Sequence, residues 1–171
     1  ETVQDLEPLV PPGTKYVPRG QRPSTHLHLG QLKLFLSTMQ FLLAHAPRNR
    51  TVHVVYPGSA PGNSIGFLSE LFPQCRWYLY DPRPFAPDLH TNKRVVEMKN
   101  TLFTDAIAEE LRDRLSKKYV LLVSDIRVEP VEGLVHRDNQ LQENWVRILR
   151  PTYAQLKFRL PRLPELEEYT Y

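Results

Sequence analysis

Beginning at Leu29, apolar residues recur at intervals of three and four: Leu29, Leu32, Phe35, Leu36, Met39, Leu42 and Leu43. That spacing places them on one face of a helix, which must end before Pro47. Beyond it, short strand-like runs alternate with helical stretches. Residues 51–56 (TVHVVY) predict a strand and residues 63–71 a short helix. A second strand follows at 76–80 (RWYLY), then a proline-rich loop to about residue 90 and a third strand at 94–98. Residues 104–117 predict a helix with Ala106, Ile107, Leu111 and Leu115 inward. The run YVLLVSDI at 119–126 is nearly continuously apolar, as a strand covered on both faces requires. A helix at 140–149 and a fifth strand at 153–160 complete the pattern.

Strand–helix alternation with short links predicts an α/β fold, a mostly parallel sheet with helices on both faces. Right-handed crossovers place the first strand centrally, with a reversal of strand order beside it. Ligands of such sheets bind at the carboxyl ends of the strands, where the order reverses. The turn at 58–62 (GSAPG), Asp81 and Asp125 all follow strand ends and should converge there. Residues 1–24, with five prolines, predict no regular element and read as an extended arm lying on another surface. Residues 25–171 then form one domain, a size that 171 residues suit.

Composition narrows the partners little. A net charge of +3 and an isoelectric point near 9.0 permit a polyanion without requiring one. The single cysteine, Cys75, excludes an internal disulfide and points to a reducing compartment such as the cytoplasm. The apolar stretch around 41–44 is far too short to span a bilayer. Trp77 and Trp145 read as core residues, and His26 with His28 lacks a third metal ligand nearby.

Three cofactor classes compete for the glycine turn. A phosphate-binding loop ends in Gly-Lys-Ser/Thr, whereas Gly62 is followed by Asn63 and Ser64. A dinucleotide fingerprint needs G-x-G-x-x-G, and here Ala60 stands between Gly58 and Gly62. S-adenosylmethionine needs no phosphate clamp, only room beside the turn and an acid for the ribose diol. Asp81 can be that acid, although dinucleotide folds use an acid in the same way. A plain tight turn with a solvated aspartate is the remaining alternative.

Charges on or just after buried strands require a reason. Asp125 closes LLVSD, Lys157 interrupts the predicted fifth strand, and Lys33 sits among apolar neighbours in GQLKLFL. Each has a bland explanation, a helix cap or a snorkelling lysine. Together they fit methyl transfer from a sulfonium to a hydroxyl, an in-line displacement in which the hydroxyl proton must leave. A lysine titrates at about 10.4, so a lysine base needs desolvation or a neighbouring positive charge. A second lysine would supply that charge, and Asp125 would orient the active amine.

The stretches GQLKLFL, VVYPGSAPG, YLYDPR, LLVSDIR and LKFRLP, in this order, resemble the poxvirus cap-specific ribose 2′-O-methyltransferase family. That family also serves as the stimulatory subunit of the viral poly(A) polymerase. The resemblance runs from about residue 28 to 171 and implies a Rossmann-like S-adenosylmethionine-dependent methyltransferase fold. It implies a Lys-Asp-Lys-Glu tetrad whose first three members fall on Lys33, Asp125 and Lys157, with Lys157 as the base. Cofactor contacts carry over to Gln31, Tyr56, Gly58, Ala60, Pro61, Gly62, Asp81, Arg83, Thr104 and Asp125, and an RNA contact to Arg127. Capped mRNA and a poly(A) polymerase catalytic subunit are the implied partners. The cytoplasm, a virion or a viral factory is the implied location. The family glutamate and the last two of seven strands have no counterpart before Tyr171, so the sequence is expected to be part of a longer chain. A rival reading keeps the fold but makes the protein a non-catalytic RNA-binding or scaffolding subunit, and a dehydrogenase stands third.

Overall fold

A computed structural model describes residues 29–126 and 132–158. Four helices and five strands alternate along this part of the chain: α1 (Leu29–His45), β1 (Val52–Pro57), α2 (Ile65–Leu71), β2 (Cys75–Tyr80), β3 (Val95–Lys99), α3 (Asp105–Arg114), β4 (Tyr119–Ser124), α4 (Glu132–Leu149) and β5 (Tyr153–Leu156). A 3-10 turn, Pro87–Thr91, interrupts the proline-rich loop between β2 and β3. The strands form one sheet in the order β3-β2-β1-β4-β5, and every neighbouring pair is parallel. β1 is therefore central, and the order reverses between it and β4, as the alternation predicts.

Side-chain alternation along the strands divides the core into two layers. Val52, Val54 and Tyr56 of β1, Trp77 and Leu79 of β2, and Leu121 and Val123 of β4 pack with α1 and α2. Val55, Tyr78, Tyr80, Val120 and Leu122 face the other way, toward Leu111 of α3 and Trp145 and Leu149 of α4. Both predicted core tryptophans are buried. Burial on both faces explains the continuous apolar runs in β1 and β4.

Three element boundaries and two helix faces differ from expectation. In α1, Phe35, Met39 and Leu42 face the sheet, while Leu32, Leu36 and Leu43 are exposed. The helix is apolar on most of its circumference, so a three-and-four spacing fits more than one face. In α3, Ala106 is exposed and Ala108 is buried in its place. α3 is also shorter than predicted, with the Thr104 hydroxyl accepting a hydrogen bond from the Ile107 N–H at its start. α4 begins at Glu132, not residue 140, because its buried face is half polar: Asp138, Asn139 and Gln142 lie among Val135, Trp145 and Leu149. Such a face has no hydrophobic period to read. β5 stops at Leu156, so Lys157 follows the strand and does not interrupt it. No helix among the described residues is long and apolar enough to cross a membrane. The predicted arm at 1–24, the His26–His28 pair, Arg127 and the acidic run at 165–168 lie outside the described residues.

Candidate active site

The parallel strands deliver the GSAPG turn, Asp81, Asp125 and Lys157 to one end of the sheet, after β1, β2, β4 and β5 respectively. Ladder bonds continue past the strand ends and hold these positions. The Gly58 N–H donates to the Tyr80 carbonyl at 2.8 Å, the Asp125 N–H to that of Pro57 at 3.1 Å, and the Lys157 N–H to that of Ser124 at 3.0 Å.

Gly58 adopts φ of 76°, a left-handed conformation that favours glycine. A Cβ there would lie 2.6 Å from the carbonyl carbon and 2.7 Å from the carbonyl oxygen of Asp125, and 2.8 Å from the Ile126 nitrogen. The turn thus rests directly on the backbone that carries Asp125. The Ala60–Pro61 peptide is cis, and Gly62 has φ of 78°.

Asp81 is buried beneath this turn. Its Oδ2 accepts from the Ala60 N–H at 3.1 Å and from Arg83 Nη2 at 2.9 Å, and its Oδ1 from the Arg83 N–H and Nε at 2.9 and 3.0 Å. Arg83 Nη2 also donates to the Ala60 carbonyl at 2.9 Å. Burial alone would raise the Asp81 carboxyl, but these bonds and the guanidinium charge hold it below the ordinary carboxylate range. It is an anion with a defined orientation.

Asp125 and Lys157 form the second cluster. Lys157 Nζ lies 2.6 Å from Asp125 Oδ1. Tyr56 is buried alongside, and its phenol is raised well above its ordinary value, first by burial and then by the Asp125 charge. It therefore remains a hydrogen-bond donor. Gln31 and Lys33 are exposed in the first turns of α1, and Lys33 forms no ion pair among the described residues. The sequence-predicted residues thus gather into two groups, Asp81–Ala60–Arg83 and Gly58–Asp125–Lys157, with Tyr56 beside the second. Pro61 and Gly62 complete the turn, and Thr104 caps α3.

One residue of this site carried no sequence signal. Gln142 of α4 is fully buried, and its amide grips the main chain of Lys157 from both sides. Oε1 accepts from the Lys157 N–H at 3.1 Å, and Nε2 donates to the Lys157 carbonyl at 3.1 Å and to that of Asp138 at the same distance. A fully buried glutamine with both amide atoms bonded fixes where the lysine leaves the strand. Gln142→Leu removes both amide bonds to the Lys157 main chain, at a cost of about 1–3 kcal/mol. A fall in melting temperature of about 3–8 °C is expected by circular dichroism, and an unchanged melt contradicts the bracing role.

Polar groups of both signs surround the turn. Carboxylates stand on both sides of the turn, and no lysine lies in it to balance a phosphate. Ser59 in the turn has a buried hydroxyl with no hydrogen-bond partner among the described residues. Both carboxylates already carry cationic partners, Arg83 and Lys157, so a ligand entering here meets paired charges and an unpartnered hydroxyl.

Comparison with known proteins identifies the chain's relatives. Residues 13–169 match the family described as "Poly A polymerase regulatory subunit". A cap-specific mRNA (nucleoside-2′-O-)-methyltransferase of Myxoma virus (strain Lausanne) is 32% identical over 154 residues, covering 82% of this chain and 45% of the relative. The protein of the same name from Fowlpox virus (strain NVSL) is 36% identical over 146 residues, covering 77% and 46%. The chain therefore spans a little under half the length of these relatives. With the match extending across nearly all of its length, the chain belongs to the Poly A polymerase regulatory subunit family.

Proposed function

We propose that the chain carries the cofactor and proton-transfer residues of an S-adenosylmethionine-dependent RNA ribose 2′-O-methyltransferase acting on mRNA caps. The observation that supports this best is the Asp125–Lys157 ion pair, with the Asp125 backbone packed directly against Gly58 of the GSAPG turn. When bound, S-adenosylmethionine supplies an electrophilic methyl group on a sulfonium. Gly58, Ala60, Pro61 and Gly62 shape the turn beside it, with Gln31, Tyr56, Thr104 and Asp125 completing the walls. Asp81 accepts hydrogen bonds from the ribose hydroxyls. Four donors already engage its two oxygens, so the ribose reaches it as the Arg83 side chain gives way while the two backbone bonds stay.

Lys157 takes the proton of the attacking 2′-hydroxyl, oriented by Asp125 and anchored by Gln142. Lys33 adds positive charge on the α1 side, and Arg127 serves the RNA path. Capped mRNA is the substrate, and the family description and the relatives' names support two partners, RNA and a poly(A) polymerase catalytic subunit. The cytoplasm of an infected cell is the corresponding location.

Calorimetric titration with S-adenosylmethionine tests the reading. One site per chain is expected, and Asp81→Asn is expected to weaken it about ten- to a hundredfold, the worth of hydrogen bonds to a charged group. Absence of binding at millimolar ligand would overturn the assignment.

A further inference from the structure

Because all strands run the same way, the end of the sheet opposite the crevice gathers all the strand amino termini. Six residues of β1 separate the two ends, about 20 Å of extended chain. The amino-terminal end is basic. Arg48 and Arg50 precede β1, and Arg76 is the second residue of β2. Lys93 and Arg94 precede β3, Lys117 and Lys118 precede β4, and Arg150 precedes β5.

None of these cations forms an ion pair among the described residues. Elsewhere Arg83, Lys99, Arg112, Arg114, Arg147 and Lys157 each contact a carboxylate at 3.0 Å or less. Arg76 and Arg94 donate instead to the Pro73 carbonyl, at 3.0 and 3.4 Å, and Arg76 also to that of Cys75 at 3.0 Å. Two acids share this end, Glu70 in the last turn of α2 and Asp113 in that of α3, and Asp113 is already bonded to Arg112. The uncompensated charge is felt locally. Burial, then the charges of Lys118 and Arg76, push the His53 imidazole below its ordinary value.

Cations at helix carboxyl ends also complement helix dipoles, which accounts for some of them. Two further observations exceed that explanation. Lys117 and Arg150 adopt φ of 65° and 49°, where a chain leaving a helix commonly uses glycine, so long cations occupy positions that favour a residue without a side chain. Aromatic rings are interleaved with the charges. The Arg50 guanidinium lies 4.7 Å from the centre of the Tyr119 ring. Tyr153, 47% exposed, stacks on His45 with centres 4.0 Å apart and planes 25° from parallel. The Tyr119 hydroxyl donates to the His45 carbonyl at 3.0 Å and ties the two pairs together. Charges that track a phosphate chain beside exposed rings that stack on bases are the means by which proteins hold single-stranded nucleic acid.

We propose that the amino-terminal end of the sheet is a second RNA-contacting surface, separate from the crevice, that holds single-stranded RNA by its phosphates and stacks bases on the His45–Tyr153 pair. Its partner is the RNA chain away from the reacting ribose, and it requires neither a cap nor a cofactor.

Fluorescence anisotropy with an uncapped 20-nucleotide uridine RNA, without cofactor, tests this independently of methyl transfer. Combining Lys117→Gln, Lys118→Gln and Arg150→Gln is expected to weaken binding tenfold or more at low salt. The slope of log affinity against log salt should become shallower by about 2, at roughly 0.7 for each phosphate no longer neutralised. Tyr153→Ala should weaken binding about tenfold with the slope unchanged, the signature of lost stacking. Lys99→Gln, on a paired cation at the carboxyl end of β3, should stay within twofold. Thermal melts verify folding. If the combined variant fails to fold, Lys118→Gln alone should still reduce the slope by roughly 0.7. Unchanged affinity and slope in these variants overturn the proposal. So does equal binding of an oligoglutamate peptide, which would make the surface a site for acidic protein. Failure of S-adenosylmethionine to bind leaves this measurement unaffected.

Discussion

Changing Lys157 to methionine is expected to reduce methyl transfer into capped RNA by a factor of about 10²–10⁴, the usual worth of a positioned general base. Binding of S-adenosylhomocysteine should stay within about twofold. Methionine keeps an unbranched stem and removes the amine, so the main-chain bonds to Ser124 and Gln142 survive. Asp125 loses its 2.6 Å partner but still reaches water, at 13% side-chain exposure. The loss should therefore fall on turnover, with little change in stability. Tritiated methyl incorporation and calorimetry on the same preparation separate the two effects. Undiminished transfer would move the base elsewhere. A matching collapse in cofactor affinity would make Lys157 a binding residue.

The second large effect is on the fold. Gly58→Ala adds a methyl group within 2.8 Å of three backbone atoms of Asp125 and Ile126, at a position whose φ is 76°. Backbone is not a flexible neighbour, so either the turn or the end of β4 must shift. The left-handed conformation costs about 1–2 kcal/mol for a residue with a Cβ, and overpacking about 1–3 kcal/mol more. For a chain of this size that lowers the melting temperature by about 5–20 °C. Gly30→Ala is the natural control, since a Cβ there meets nothing within 4 Å and helix propensity favours alanine. Its melt should be unchanged or slightly raised. If the Gly58→Ala melt matches wild type, the turn does not rest on Asp125 as described.

Much of this architecture was legible in the residues. The all-parallel sheet followed from strands alternating with helices, and the central place of β1 from the hand of the crossovers. Placement of the turn, Asp81 and Asp125 at one end followed in turn, because each comes just after a strand; Lys157, read as lying within the fifth strand, joins them because β5 ends at Leu156. Two things stayed hidden for physical reasons. α1 is apolar nearly all round, so its periodicity could not say that Phe35 and Leu42, and not Leu32 and Leu43, meet the sheet. α4 buries polar groups whose hydrogen bonds satisfy them, and a hydropathy pattern does not register a satisfied glutamine. Gln142 was missed for that reason, and with it the brace behind Lys157. The unpaired cations were visible singly, but their common location depends on topology. Residues 48 and 150 become neighbours in kind only once their strands are known to run in parallel.

The contact between Gly58 and the Asp125 backbone has a consequence for how divergence in this family should be read. It is a demand of folding, whereas in the proposed reaction the amine of Lys157 serves proton transfer alone. A descendant that has given up methylation but still serves a polymerase is free to lose position 157 and remains bound to keep glycine at position 58. The two positions together therefore sort working enzymes from retired ones, with the glycine reporting ancestry and the lysine reporting employment.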